Sequence, residues 1–441
     1  MIIVGGVASR PDQLPQVHEA FLPRDHALHR PRHGGRQLTA LISALVFFLA
    51  PTALWLVGVR TGEIENHKVA GFPSLSRGWG FFTDLPQWAT DQLSFRESAI
   101  AAEDGISHGL FGEDPPLDNG KTPPAGPLAG SPIPPPAGPA DQTPSSDGQP
   151  GYSKVVRGSD GWLYYGYDAE AKCFPTRQIT ETVAKINELR AAVEQSGRKF
   201  ILVVPPDKST MVPQFLPPDY PGKSCAESAI APAWSQIVGA AGGVDLRPGL
   251  QAAAAQAGHP IYPAADTHWA DEGALAMTRA IADAVQPGVT RTWTGEPVGQ
   301  YSTPADLSLL INRPVTKTNV MYSLRPDGVV DRTGQFGETI DQPVHKRSAP
   351  LTGTVDRPTL IYGDSFTAAS SRYLPSAFTN LTMLAYSTQK TPQQKAVDEF
   401  VNAQVVVVEA VERNVSGGQL AFTDEGFIQA VRTALAQHPI G

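Results

Sequence analysis

Short runs of consecutive apolar residues, separated by stretches with helical periodicity, constrain this chain more than any other feature. Lys199–Val204, Leu360–Tyr362 and Val405–Val408 are apolar along nearly their whole length, which is typical of strands buried on both faces of a sheet. Between them, apolar residues recur at helical spacing, for example in Thr180–Ser196 and Asp271–Val285. Because strands alternate with helices, the sequence predicts an α/β domain with a mainly parallel sheet.

Polar residues follow the ends of these predicted strands. Asp207 comes shortly after the first, Ser365 after the second and Glu409 directly after the third, while Asp266 and His268 lie in the loop that follows a short predicted strand at Val244–Leu246. Ligands of parallel sheets bind outside the carboxyl ends of the strands. We therefore expect these five residues to converge on one cleft.

The candidate nucleophile, Ser365, lies in a turn between the second strand and a helix that we predict from Thr367 to Leu374. This geometry places a hydroxyl at the edge of the sheet and directs the Ser365 amide towards a developing oxyanion. We expect Asp364 to stabilise the turn. The alternative is an ordinary turn, because Gly, Asp and Ser are common turn formers and Ser is a good helix N-cap.

A serine hydroxyl needs a general base before it attacks an acyl carbon. Asp266 and His268 are two positions apart, so in an extended segment their side chains point to the same side. The carboxylate is then placed to accept a hydrogen bond from Nδ1–H, which leaves Nε2 free to face the serine. The alternative is a capping Asp beside a solvated His. Trp269 either forms a wall of the site or packs in the core.

Composition excludes several classes of function. The net charge of −8 and the pI near 5.7, with no basic stripe, argue against nucleic-acid binding. No Gly-rich phosphate loop follows a strand, and no Cys or His residues pair at metal-ligand spacing, so we expect no nucleotide cofactor and no metal. The alternative is convergence of Asp266, His268 and Glu409 on a cation. Cys173 and Cys225 either form a disulfide or are two buried thiols.

The rest of the sequence predicts five segments. Residues 1–36 form a disordered cytoplasmic tail, residues 37–59 an uncharged transmembrane helix, and residues 60–112 a membrane-proximal segment that packs on the catalytic domain. Residues 113–151 form a disordered insertion rich in Pro and Gly, and residues 152–441 the catalytic domain. The Arg cluster before the span places the catalytic domain outside the cytoplasm; a buried soluble helix is the alternative. Residues 289–350 show no clear pattern.

The two motifs together resemble a known family. Gly363–Phe366 (Gly-Asp-Ser-Phe) with Asp266–Trp269 (Asp-Thr-His-Trp) is similar to the SGNH-type polysaccharide O-acetyltransferases of the alginate acetylation (AlgX/AlgJ) family. The motif order is permuted relative to common SGNH hydrolases, as in this family. Further matching positions are Glu65, Asn66 and Pro73, the stretch from Asp91 to Phe95 and Arg96, Gly161–Leu163, Asp306 with Leu307, and Glu412 with Arg413.

The resemblance implies an SGNH hydrolase-like three-layer sandwich, with Ser365 as nucleophile, His268 as base and Asp266 as the residue that orients it. It also implies acetyl transfer to a cell-envelope or exported polysaccharide, beside a membrane-bound O-acyltransferase that delivers the acyl donor. The candidate substrate-binding residues are Trp269, Asp364, Asp207, Glu409 and Arg413. The sequence leaves two alternatives open: an acetylesterase with the same triad, and a non-catalytic protein for glycan binding or assembly.

Overall fold

The computed structural model describes residues 35–56, 72–74, 80–82, 88, 151–311, 313–335, 337, 339–386 and 393–440. Up to residue 88 these belong to one compact unit, and from residue 151 to a second. In the first unit, helix α1 covers Gly35–Leu56. None of the described helices is both long and apolar enough to cross a bilayer. The span at 37–59, whose last residues lie outside the described ranges, stays a prediction, as do the tail, the membrane-proximal segment and the insertion.

The second unit contains all the strands that the structure describes. They are β1 Val155–Arg157, β2 Leu163–Tyr165, β3 Lys199–Val204, β4 Val244–Asp245, β5 Thr294–Pro304, β6 Thr316–Arg325, β7 Val344–Arg347, β8 Thr359–Gly363, β9 Asn380–Ala385 and β10 Val405–Glu409. Its helices are α2 Tyr167–Cys173, α3 Ile179–Gln195, α4 Lys208–Met211, α5 Lys223–Ser235, α6 Arg247–Ala257, α7 Asp271–Val285, α8 Asp306–Leu310, α9 Ser365–Ala369, α10 Leu374–Ala377, α11 Gln393–Asn402, α12 Glu412–Gly417 and α13 Glu425–Gln437.

A six-stranded mixed sheet forms the centre of this unit, in the order β4-β3-β10-β8-β9-β7. Five strands run parallel, and the edge strand β7 pairs antiparallel with β9. Because the strands are parallel, the carboxyl ends of β3, β8 and β10 meet at one edge, where the polar residues of the sequence motifs follow them. The predicted α/β class with a mainly parallel sheet is confirmed.

Helices cover both faces of the sheet, so the domain has three layers. Alternate residues of β10 enter opposite cores: Val405 and Val407 pack with α7, whereas Val406 and Val408 pack with α3 and α13. Successive strand residues point to opposite faces, so a strand buried on both sides has to be apolar throughout. This explains why the apolar runs identify the central strands.

Two parts of the chain differ from the sequence prediction. The helix expected from Thr367 to Leu374 is replaced by the short helices α9 and α10. The stretch without a pattern contains the long antiparallel hairpin of β5 and β6. β1 and β2 form a second, smaller antiparallel hairpin. A disulfide joins Cys173 to Cys225 and so links α2 to α5.

Candidate active site

Ser365 lies at the sharp turn between β8 and α9, and it is exposed among buried neighbours. Asp364 adopts an extended backbone conformation and caps the helix, because its Oδ1 accepts a hydrogen bond of 3.0 Å from Phe366 N. Its Oδ2 accepts a second bond, of 2.9 Å, from Val411 N. Asp364 therefore ties the turn to the end of β10 and holds the serine hydroxyl outward.

Glu409 supports the same turn from below. Its Oε2 accepts hydrogen bonds from Asp364 N at 2.9 Å, Thr367 N at 3.2 Å and Thr367 Oγ1 at 2.7 Å. A Cβ atom on Gly363 would lie 2.6 Å from this carboxylate oxygen and 2.0 Å from Thr367 Oγ1, so only glycine fits there. Burial, with the nearby Asp364 carboxylate, raises the pKa of Glu409 well above its usual value.

His268 meets Ser365 across the cleft. His268 Nε2 lies 2.8 Å from Ser365 Oγ, which is hydrogen-bond distance. On the other side of the ring, Nδ1 lies 3.1 Å from Asp266 Oδ1, which also accepts a 2.9 Å bond from His268 N. Asp266 is only 2 % exposed. The three side chains therefore form a continuous hydrogen-bonded line from a buried carboxylate to an exposed hydroxyl.

A second carboxylate, Asp306, shares His268 Nδ1. Its Oδ2 lies 3.2 Å from that nitrogen, and its Oδ1 accepts a 2.7 Å bond from Thr267 N. The hydroxyl of Thr267 also donates to Asp306. Asp306 is the first residue of α8, which lies in the connection between β5 and β6. Sequence reasoning noted Asp306 only as a matching position of the family, and its contact with the imidazole depends on the folded hairpin.

The charges around His268 favour its protonated form. Burial alone lowers the pKa of an imidazole, but hydrogen bonds to Asp266 and Asp306 outweigh it and raise the pKa of His268 to about 9. Burial opposes ionisation of Asp266, yet its bonds to His268 and to Lys317, at 2.7 Å, hold its pKa below the usual value. The neutral imidazole, which is the form that accepts a proton, therefore becomes more populated as the pH rises towards 9.

Asp266, His268 and Asp306 also offer ligand atoms within 4.8 Å of one another, a spacing at which a metal ion can be held. The ammonium of Lys317 already pairs with Asp266 Oδ2, and His268 Nε2 faces Ser365. These contacts fit a proton-transfer site better than a cation site. Glu409 takes no part in the cluster, because it lies beneath the Ser365 turn.

The triad opens into a cavity of about 510 Å³, within the usual range for small-molecule sites. Ser365 and His268 line it, together with residues of the hairpin of β5 and β6. Trp269 and Asp364 line it as well, although both are almost fully buried. Trp269 packs edge-on against Phe366 at 4.7 Å between ring centroids, so it mainly supports the wall behind His268.

Three of the predicted substrate-binding residues do not line this cavity: Asp207, Glu409 and Arg413. Asp207 is fully buried and pairs with Lys172 at 2.5 Å and with Arg413 at 3.2 Å. This ion cluster, together with Glu412, ties the segments after β3 and β10 together. The three residues follow strand ends as expected, but Asp207 and Arg413 pair with other charges, Glu409 lies beneath the Ser365 turn, and none of the three lines the cavity.

A buried lysine positions the loop that carries Asp266. Lys208 Nζ donates to the carbonyl oxygens of Leu163 at 2.6 Å, Pro263 at 2.7 Å and Ala264 at 2.6 Å. The ammonium also lies 4.9 Å from the centre of the Trp162 ring. Nothing in the local sequence indicates this role, because the bonded carbonyls come from two distant segments.

Comparisons with known proteins agree with the motifs. The family model described as the SGNH hydrolase-like domain of the acetyltransferase AlgX matches residues 155–402. The probable alginate O-acetylase AlgJ of Pseudomonas syringae pv. tomato is 29% identical over 142 residues, 32% of this chain and 34% of that protein. AlgJ of Pseudomonas putida is 27% identical over 143 residues, 32% and 35% of the two chains. The chain spans about a third of the length of these curated relatives.

Among solved structures, the chain is similar to the O-acetyltransferase domain of Pseudomonas putida AlgJ, with 21% identity and a TM-score of 0.41. The match covers 63% of this chain and 98% of that domain. It is also similar to Bacillus cereus PatB1, with 13% identity, a TM-score of 0.43 and coverage of 59% and 96%.

Proposed function

The chain belongs to the SGNH hydrolase-like domain family of the acetyltransferase AlgX, and we propose that it transfers an acetyl group to a hydroxyl of a cell-envelope or exported polysaccharide, with Ser365 as nucleophile. The observation that carries this proposal is the 2.8 Å contact between Ser365 Oγ and His268 Nε2, with Nδ1 of the same ring held by Asp266. An exposed hydroxyl in line with an imidazole and a buried carboxylate is the arrangement that acyl transfer requires.

In the first half-reaction, neutral His268 takes the proton of Ser365 Oγ as that oxygen attacks the acetyl carbon of the donor. The Ser365 amide then stabilises the developing oxyanion. Collapse of the tetrahedral intermediate breaks the bond to the leaving group, which receives the proton from His268. The acetyl group is now an ester on Ser365.

In the second half-reaction, a sugar hydroxyl gives its proton to His268 and attacks the acetyl carbon. The new ester bond forms on the sugar, and Ser365 Oγ leaves with the proton from His268. Asp266 fixes the tautomer of the imidazole throughout, and Lys317 holds Asp266 in place through their 2.7 Å ion pair. If water enters in place of the sugar, the same intermediate gives an esterase, so the choice of acceptor separates the two activities.

We also propose that residues 37–59 anchor the chain in a membrane with its catalytic domain outside the cytoplasm, and that a membrane-bound O-acyltransferase supplies the acetyl donor. The support is the 23-residue stretch without a charge, preceded by an Arg-rich segment. Protease added to spheroplasts, whose outer envelope layers have been removed, should digest the catalytic domain. Protection of that domain would refute this topology.

The test of the acetyl-enzyme uses the full chain in detergent with an aryl acetate. We expect a burst of released phenol and an acetyl group on the peptide that contains Ser365, by mass spectrometry. Ser365→Ala should abolish both, and the rate should fall on the order of 10³-fold or more. The control is Ser228→Ala, on the exposed face of α5, which should behave as wild type.

Addition of oligosaccharides then separates the alternatives. For a transferase, acetylated sugar accumulates while the release of free acetate falls. Release of acetate that no acceptor changes would support an esterase. Absence of acetylated Ser365 with a folded protein would refute the nucleophile and favour a non-catalytic glycan-binding role.

A further inference from the structure

The β5–β6 hairpin contributes four polar residues to the lining of the cavity that also contains Ser365 and His268. Tyr301 pairs across the hairpin with Asn319, and Thr303 pairs with Lys317. Residues two apart on a strand point to the same face, so these four form one continuous surface, and all of them line the cavity that holds Ser365. We call Tyr301, Thr303, Lys317 and Asn319 the hairpin patch.

We infer that the hairpin patch is the subsite for the acetyl acceptor and that it takes an uncharged sugar rather than a uronate. The inference rests on the proposed acetyl transfer and adds to it the chemical class of the acceptor.

Two groups of the hairpin patch are already engaged, and two atoms are not. The Tyr301 hydroxyl donates to Asp271 at 2.6 Å, and the Lys317 ammonium pairs with Asp266 at 2.7 Å. Asn319 is 4 % exposed, and neither its Oδ1 nor Thr303 Oγ1 has a hydrogen-bond partner among the described residues. Buried polar atoms in folded proteins are normally paired. Two such atoms on the wall of a cavity therefore point to a ligand that brings hydrogen-bond donors, as sugar hydroxyls do.

The charge of the cavity decides which sugars fit. Five carboxylates line it: Asp266, Asp271, Asp306, Asp341 and Asp364. The cationic groups among the described lining residues are Lys317 and His268, and both are already paired with carboxylates.

The guanidinium of Arg372, which is not a lining residue, lies 3.9 Å from Asp271 and 4.6 Å from the centre of the Tyr301 ring, so the five carboxylates still outnumber the cationic groups. A negatively charged lining repels anions, so it favours neutral or positively charged ligands. Release of the proton from His268, which catalysis needs, makes the cavity more negative still. The carboxylate of a uronate would enter without an unpaired cation to meet it.

The binding test uses the full chain in detergent and does not depend on turnover. Saturation-transfer NMR compares neutral glucose or N-acetylglucosamine oligosaccharides with oligouronates of equal length. We expect neutral oligosaccharides to bind about tenfold more tightly at low salt, and the difference to narrow as salt screens the repulsion. Equal binding of both classes at low salt, tighter binding of the uronates, or no binding of neutral sugars would overturn the inference.

Variants locate the effect. Asn319→Ala should weaken binding of the neutral oligosaccharide about tenfold, the effect of one buried hydrogen bond. Ser302→Ala, on the opposite and exposed face of β5, should leave it unchanged. Asp341→Asn should reduce the difference in affinity between oligouronates and neutral oligosaccharides. Equal losses in Asn319→Ala and Ser302→Ala, or no loss in either, would contradict the subsite.

Formation of the acetyl-enzyme is measured separately with an aryl acetate. If neutral sugars bind through Asn319 but Ser365 is never acetylated, the proposed function fails, and the hairpin patch remains only as a binding site for neutral sugars. If Ser365 is acetylated and the acetyl group passes to uronates faster than to neutral sugars, the proposed function stands and the subsite fails.

Discussion

Substitution of Asp306 by Asn should move the pH dependence of acetyl-enzyme formation to lower pH. The variant keeps the size of the side chain and removes one of the two negative charges beside His268 Nδ1. Only the neutral imidazole accepts the serine proton, so the rate follows the fraction of His268 that is neutral. With less negative charge nearby, the protonated form is less favoured and the pKa of His268 falls.

The structure sets the size of this change. The pKa of His268 is raised from 6.5 to about 9 against the opposing effect of burial. The two carboxylates lie at 3.1 and 3.2 Å, but the side chain of Asp306 is 38% exposed and that of Asp266 only 3%. Solvent screens the charge of Asp306 more strongly than that of Asp266. We therefore expect loss of the Asp306 charge to lower the pKa of His268 by about one, which corresponds to about 1.4 kcal/mol. At pH 7 the neutral fraction then rises from about 1% to about 10%.

The assay is the rate of the phenol burst from an aryl acetate, measured from pH 6 to 10 on the full chain, with Ser365→Ala as the blank for spontaneous hydrolysis. We expect kcat/KM of the wild type to rise to an inflection at about pH 9, and that of Asp306→Asn to inflect about one pH unit lower. Near pH 7 the variant should be up to about tenfold faster. At high pH the variant should be slower than the wild type, because a weaker base accepts the serine proton less readily.

The control is Asp219→Asn, an exposed carboxylate outside the cavity, which should leave the profile in place. An inflection that stays at the same pH in Asp306→Asn, or moves upwards, would refute the electrostatic role. Loss of activity at every pH with an unchanged inflection would assign Asp306 a purely geometric role in holding the loop.

Four further changes test the parts around the triad. Lys317→Met should shift the same inflection above that of the wild type, because it removes a positive charge beside Asp266; a downward shift would contradict this. Glu409→Ala should lower the free energy of unfolding in urea by about 1–3 kcal/mol for each buried donor that it leaves unpaired. Glu409→Gln should cost much less, because the amide oxygen still accepts. Gly363→Ala should prevent folding or abolish the burst, whereas Gly239→Ala, with open space around it, should be tolerated in thermal melts. Lys208→Met should lower the melting temperature, and it should reduce kcat by a larger factor than it changes KM. An unaltered kcat would show that the Asp266 loop keeps its position without Lys208.

The central strands and the meeting of Ser365 with His268 were accessible from sequence because both follow from simple physical rules. A strand buried on both faces is apolar throughout, as in Val405–Val408, and parallel strands bring their carboxyl ends together. The same rule was too coarse for Asp207 and Glu409. It places both near the cleft, but it does not say whether a carboxylate points into the cavity or is neutralised beneath it.

The hairpin of β5 and β6 was not predictable from local pattern. A two-stranded ribbon has no second sheet to pack against over most of its length, so β5 is largely exposed and shows no apolar alternation. It also contains Pro297 and Gly299, which are rare within strands. Without the hairpin, neither the contact of Asp306 with His268 nor the pairing of Lys317 with Asp266 follows from the sequence.

These observations divide the site into two parts with different tolerance to change. The proposed nucleophile, Ser365, follows a central strand of the sheet, where the contacts of Gly363 with Glu409 and Thr367 leave no room for another side chain. Asp306 and Lys317, which carry charge close to the His268–Asp266 pair, and the residues proposed to face the acceptor lie on the β5–β6 hairpin and its connection. The hairpin is not part of the central sheet, so substitutions there leave the strands beneath the proposed nucleophile in place. Lys317 pairs with Asp266 beside His268 and is also part of the hairpin patch. A substitution of Lys317 should therefore alter acceptor choice and pH dependence together, whereas a substitution of Asn319 should alter only acceptor choice.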